Sequence, residues 1–149
     1  MASGIRPYRV LVVDDDTDQA TLVEIVFAHL DANARLSVAW SAEDAIAHLE
    51  GNQRLGTESP KKLPDVIVLD INMPGMGGIG FLEWYSTRED LQHIPVVVFT
   101  SDGDPGLVER CLSLGAWEFK QKPSNFAELV PIVQRVLDRW HPFGKAELA

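Results

Sequence analysis

The chain has 149 residues with a formal net charge of −9, 46% hydrophobic and 23% charged residues, and one cysteine. That length suits one well-buried core and is too short for two ordinary domains, and the composition is that of a globular protein. The acidic balance excludes phosphate-backbone recognition and an anionic membrane surface as partners, and a single cysteine excludes an internal disulfide framework.

Strand-like runs alternate with helical patterns five times, which predicts a parallel sheet covered by helices on both faces. The first strand is expected at about residues 9–13 and the first helix at 17–30, with Ala20, Val23, Phe27 and Leu30 spaced as its buried stripe. A short second strand, 36–40, leads into a helix that Ser41 caps, with Asp44 where a capping-box acid would sit; Gly51 stops it. Residues 51–63, rich in Gly, Ser, Pro and Lys, form the one long loop. The third strand, 66–69, ends at Asp70, and Gly77-Gly78 opens a helix through about Thr87. After a connector at 93–95 come a fourth strand, 96–99, and a helix from Pro105 to Leu114, with proline at a tolerated first position. A fifth strand spans 117–120, and a last helix, capped by Ser124, reaches Trp140 with Pro131 inside it, where proline deletes a hydrogen bond and crowds the preceding turn.

Val10-Leu11-Val12-Val13, Val66-Ile67-Val68-Leu69 and Val96-Val97-Val98-Phe99 read as strands buried on both faces. Just past them stand Asp14-Asp15-Asp16, Asp70 and Thr100, and Lys122-Pro123 follows the shorter run around Phe119. In open parallel sheets functional groups gather beyond the carboxyl ends of the strands, so these groups are expected to converge on one site. Two carboxylates ~4 Å apart repel by roughly 4 kcal/mol at an effective dielectric near 20, a cost that an oxygen-loving divalent cation removes. A carboxylate can also attack phosphorus to give an acyl phosphate, with cationic groups steadying the phosphoryl oxygens. Asp16 reads as a helix-entry acid rather than a ligand.

Val12-Val13-Asp14-Asp15, Val68-Leu69-Asp70-Ile71-Asn72-Met73-Pro74, Phe99-Thr100-Ser101 and Phe119-Lys120-Gln121-Lys122-Pro123 together resemble the receiver domains of two-component response regulators. The resemblance covers residues 8–140, between a short lead (1–7) and tail (141–149), and implies a CheY-like, flavodoxin-like α/β fold: a doubly wound five-stranded parallel sheet of order 2-1-3-4-5 in a three-layer sandwich. It implies Asp70 as phosphoacceptor, and Mg²⁺ held by Asp14, Asp15, Asp70 and the backbone carbonyl of Asn72. Thr100 and Lys122 would contact the phosphoryl group, Thr100 and Phe119 would form a switch, and the Lys122-Pro123 peptide would be cis. Asn72 and Asp102 would tune access of the hydrolytic water, and their polarity predicts fast loss of phosphate. Gly77 departs from an aspartate common in the family, so the third helix is expected to lose a side-chain cap.

A receiver implies a sensor histidine kinase or phosphotransfer protein as phosphodonor, with Leu22, Ile25 and Val26 on the first helix as its docking surface. With no output domain attached, the signal would pass to another protein or through self-association of the helix-four, strand-five, helix-five face. The absence of a signal-like start or spanning run predicts a cytoplasmic protein. The long loop before the third strand is similar to that of single-domain regulators paired with bacteriophytochrome-type kinases. Two alternatives stand beside this. Val12-Val13-Asp14-Asp15-Asp16-Thr17 also matches the start of haloacid-dehalogenase-type phosphatases, with Asp14 as nucleophile and Asp16 as acid, although Val108 stands where a later aspartate is expected. The other is a receiver-like binding module that never carries phosphate. The histidines (29, 48, 93 and 141) share no metal-like spacing, and Trp40, Trp84, Trp117 and Trp140 read as packing residues, with Trp117 partly exposed.

Overall fold

The structure, a computed structural model, describes residues 7–51, 63–101, 103–123 and 125–140. Its strands are β1 (Arg9–Val13), β2 (Arg35–Ala39), β3 (Val66–Leu69), β4 (Val96–Thr100) and β5 (Glu118–Gln121). Its helices are α1 (Thr17–Leu30), α2 (Ala42–Leu49), α3 (Gly77–Tyr85), α4 (Pro105–Ser113) and α5 (Phe126–Trp140). The five strands pair in parallel, as the alternation predicts, and in the order β2-β1-β3-β4-β5 that the resemblance implies.

The continuous apolar runs form the centre of the sheet: every residue of β3 and β4, and Val10–Val13 of β1, is buried. Strand alternation still divides them between two cores. Leu11, Val13, Ile67, Leu69, Val96 and Val98 pack with Ala45 and Leu49 of α2, Phe81 and Tyr85 of α3 and Cys111 of α4. Val10, Val12, Val66, Val68, Val97 and Phe99 pack with Val23, Val26 and Phe27 of α1 and Leu129, Val133 and Val136 of α5. The edge strands β2 and β5 are only partly buried, which is why their apolar signal is weaker.

Local chemistry sets the helix starts. Asp16 accepts from the amides of Asp18 and Gln19 and caps α1. Ser41 Oγ accepts from Asp44 N–H, while the Asp44 carboxylate reaches back to Trp40 N–H, one residue before the position a capping box uses. The cap expected at Ser124 lies outside the described residues; Asn125 Oδ1 accepts from Glu128 N–H at 2.9 Å and fills that role. Helix α5 runs through Pro131, on its exposed side. A 3-10 turn at Glu89–Leu91 was not foreseen in the connector before β4.

Three expectations need correction. Val26 is fully buried against the sheet and offers no docking surface, because its position on α1 falls within the core stripe; Ile25 is half exposed and Leu22 partly covered. Trp40 is exposed because β2 ends at Ala39 and the tryptophan falls beyond the last paired residue. The Lys122-Pro123 peptide is trans, as are all others among the described residues. Lys122 reaches its partners in that geometry, and the trans form is the intrinsically preferred one.

Candidate functional site

The parallel register delivers four strand ends to one edge of the sheet. Val13 of β1 pairs with Leu69 of β3, so Asp14 and Asp70 emerge side by side, and the Asp70 amide donates to Val13 O at 2.9 Å. Leu69 pairs with Val98, which sets Thr100 one pleat beyond on β4. Thr100 pairs with Gln121 of β5, and the Lys122 amide donates to Thr100 O at 2.7 Å, directing the lysine back over the site.

Side chains meet as the spacing predicts. Lys122 Nζ lies 3.0 Å from Asp14 Oδ2 and 3.8 Å from Asp70 Oδ1. Asp14, Asp70 and Thr100 are buried, and Asp15 is exposed at the mouth. One carboxylate oxygen from each of Asp14, Asp15 and Asp70 can be chosen so that all lie within 4.8 Å of one another. Asp14 Oδ1 accepts from Asp16 N–H at 3.0 Å while Oδ2 accepts from Lys122, which fixes the carboxylate's orientation. Asp16 itself is spent on the α1 cap, so the acid that the phosphatase alternative requires does not enter the cluster.

Electrostatically the site is short of positive charge. Burial pushes the Asp70 carboxyl up to about 6; the Lys122 ammonium pulls it down, the neighbouring Asp14 carboxylate pushes it up again, and the Asn72 amide lowers it. Three carboxylates face one ammonium, and all are hard oxygen donors. That set fits an octahedral divalent cation such as Mg²⁺ in charge and in chemistry.

The loop after β3 carries features that the sequence left unseen. Asn72 Nδ2 donates to Thr100 Oγ1 at 3.2 Å and its amide donates to Asp70 Oδ1 at 3.3 Å, so one residue touches both groups. Glu43, in the first turn of α2, accepts from Met76 N–H at 3.3 Å and braces the far end of this loop. Gly77 has φ +74°, a left-handed conformation that favours glycine over the family's aspartate, and α3 starts without a side-chain cap. A Cβ on Gly78 would sit 2.6 Å from Ile71 Cα and 2.7 Å from Asp70 O, so only glycine lets α3 approach this closely. The Gly77-Gly78 pair in the sequence was the available signal.

Phe119 is half-buried against the core shared by α2, α3 and α4, and pairs with Val98, two residues before Thr100. Asp102 and most of the loop at 51–63 lie outside the described residues. Trp117 is partly exposed while its Nε1 donates to Tyr85 Oη at 3.1 Å. Among the described residues no helix is long and apolar enough to cross a membrane.

Comparison with known proteins agrees with this architecture. The chain is 30% identical over 128 residues to a probable chemotaxis protein CheY of Rhizobium etli, covering 86% of this chain and 91% of that one. It is 36% identical over 118 residues to a protein-glutamate methylesterase/protein-glutamine glutaminase of Rhizobium johnstonii, but spans only 31% of that relative's length, against 79% of its own. Among solved structures, the phosphorylated cyanobacterial phytochrome response regulator RcpA superposes with a TM-score of 0.81 at 22% identity, covering 91% of this chain and 95% of that one, and shares the fold. The Mn²⁺-bound response regulator Rcp1 superposes with a TM-score of 0.76 at 28% identity, covering 90% and 94%. The response regulator receiver domain matches residues 10–134, and the chain belongs to that family.

Proposed function

We propose that residues 8–140 act as a phosphoacceptor that takes a phosphoryl group from a histidine kinase or phosphotransfer protein onto Asp70. The observation that carries this reading is the convergence of Lys122 on Asp14 and Asp70, at 3.0 and 3.8 Å, beside the buried Thr100. An Asp70 oxygen attacks phosphorus, the P–N bond to the donor imidazole breaks, and the imidazole leaves with the bonding pair. No general base is needed above pH 6, where the carboxyl is already ionised. Asp14, Asp15, Asp70 and the Asn72 carbonyl would hold Mg²⁺, which supplies positive charge to the carboxylates and to the transferring phosphoryl oxygens.

The product carries new acceptor oxygens that Lys122 and Thr100 can engage. Thr100 Oγ1, which accepts from Asn72 Nδ2, donates its own hydrogen to a phosphoryl oxygen as the side chain moves inward, and Phe119 follows into the space vacated. The outward face of α4, β5 and α5 then changes, and a partner or a second copy reads it there. Resemblance to the phytochrome response regulators favours a sensor kinase of that class as donor. Water returns the site to its resting state by hydrolysis of the acyl phosphate.

Borohydride reduction tests the bond type, because it converts an aspartyl phosphate to homoserine. After phosphorylation, peptide mapping should place homoserine at position 70. Phosphate retained on a serine, threonine or histidine, or homoserine at position 14, would contradict the assignment.

A further inference from the structure

Arg9 and Arg35 are register partners on the neighbouring parallel strands β1 and β2, so their side chains share one face at the foot of the sheet. Like charges in paired positions repel. Among the described residues neither guanidinium enters an ion pair; the Arg35 guanidinium has one long bond, 3.5 Å, to Ala34 O. Both line a cavity of about 40 Å³ together with Ser37, Pro64 and His48, the last from the final turn of α2. The chain as a whole carries 22 acidic against 13 basic residues, yet the residues lining this cavity include two arginines and a histidine and no acid; the Asp65 carboxylate, next along the chain from Pro64, accepts from the Arg9 backbone N–H at 2.8 Å.

From this geometry we infer a second ligand site, for a small tetrahedral oxyanion of the phosphate class. Two guanidinium forks match phosphate oxygens in shape and charge, and the Ser37 hydroxyl and the His48 ring add further donors. The volume holds about three water molecules, at roughly 10–15 Å³ for each, and so fits one anionic head group and no larger body. The cavity is open to solvent, so the anion can be free phosphate or the terminal phosphate of a larger molecule whose remainder stays outside. The site stands at the opposite end of β1 from Asp14 and Asp15, a strand of five residues or about 16 Å away. It is therefore independent of phosphorylation at Asp70.

The test is a titration of the ¹⁵N-labelled full chain, in EDTA, with inorganic phosphate, a nucleoside monophosphate and sodium chloride at matched ionic strength. Saturable shifts at the amides of Arg9, Arg35, Ser37 and His48, with Thr100 unmoved, are expected with phosphate and not with chloride. Arg35→Gln lies on the edge strand and leaves the core untouched; it should weaken phosphate binding about tenfold, which corresponds to ~1.4 kcal/mol, with the remaining spectrum unchanged. A nucleotide binding more tightly than free phosphate would assign the head group to a larger ligand, while equal affinity would assign free phosphate. Equal shifts with chloride and phosphate, or phosphate binding unaltered in both Arg35→Gln and His48→Gln, would overturn the site.

Discussion

Asn72 Nδ2 donates to Thr100 Oγ1 across 3.2 Å, tying the residue two positions beyond Asp70 to the hydroxyl that ends β4. That bond holds Thr100 by the Asn72 side chain, while the Asn72 backbone N–H donates to the Asp70 carboxylate. A phosphoryl oxygen on Asp70 would accept the hydroxyl's own hydrogen and draw Thr100 inward, away from Asn72. Once Thr100 leaves, the freed Asn72 amide can hold a water near phosphorus.

Removing the amide separates these two effects. Asn72→Ala should lengthen the acyl-phosphate lifetime by about tenfold, or ~1.4 kcal/mol of barrier, as the amide no longer positions water. The decay of phosphoprotein after donor removal, followed by intact mass, checks it. An unchanged lifetime would show that Asn72 takes no part in hydrolysis, and a shorter one that it shields the phosphate instead of positioning water.

The raised Asp70 carboxyl makes stability depend on pH. Its folded value of about 6 exceeds the ordinary 3.8, so between those values the folded state binds the extra proton. The stabilisation is fully present below about 3.8 and is lost as pH rises through 6. At pH 7.5 the metal-free Asp70→Asn protein should therefore be more stable than wild type, by roughly 1–3 kcal/mol. The gap should close as pH falls below 6, or when Mg²⁺ is added to wild type. Urea midpoints of both proteins at pH 5 and 7.5 measure this, and a gap that widens at low pH would reverse the assigned sign.

Gly78 permits α3 to lie against the loop that follows β3, since a Cβ would meet Ile71 Cα at 2.6 Å. The obstacle is backbone, so no side-chain rotation relieves it. Gly78→Ala should cost about 1–3 kcal/mol, and should slow Asp70 phosphorylation by shifting the loop. Gly80 is the control, because a Cβ there meets only the flexible Met76 side chain.

Ile25 is half exposed on α1, while Val26 beside it is buried. Ile25→Glu should slow phosphotransfer from the partner kinase about tenfold, a loss of ~1.4 kcal/mol of encounter stability, and leave acetyl phosphate reactivity unchanged. Slowing with both donors would mean that the substitution disturbs the site rather than a docking surface.

Much of this was legible in the chain. The central strands carry unbroken Val- and Ile-rich runs because both faces are buried, and the residue after each run is polar because the strands end there. That placed Asp14, Asp70 and Thr100 without knowledge of the pairing. Other features depend on relationships that no local pattern encodes. The Asn72–Thr100 bond joins residues 28 apart. Whether Val26 or Ile25 faces solvent turns on one step of helical rotation, and a stripe of Leu22, Ile25 and Val26 does not reveal where the core ends. The cis expectation at Lys122-Pro123 came from resemblance alone, and the lysine reaches Asp14 through a trans bond. The Arg9–Arg35 juxtaposition required the β1–β2 register, which places residues 26 positions apart side by side.

On the proposed reading, Asp70 accepts a phosphoryl group in a site completed by a divalent cation. Intact mass after incubation with acetyl phosphate and Mg²⁺ tests it most directly, in wild type, Asp70→Asn and Asp14→Asn. A single phosphoryl adduct on wild type is expected, absent in Asp70→Asn and absent when EDTA replaces Mg²⁺. An adduct that survives Asp70→Asn but disappears in Asp14→Asn would contradict the account and transfer the nucleophile's role to Asp14.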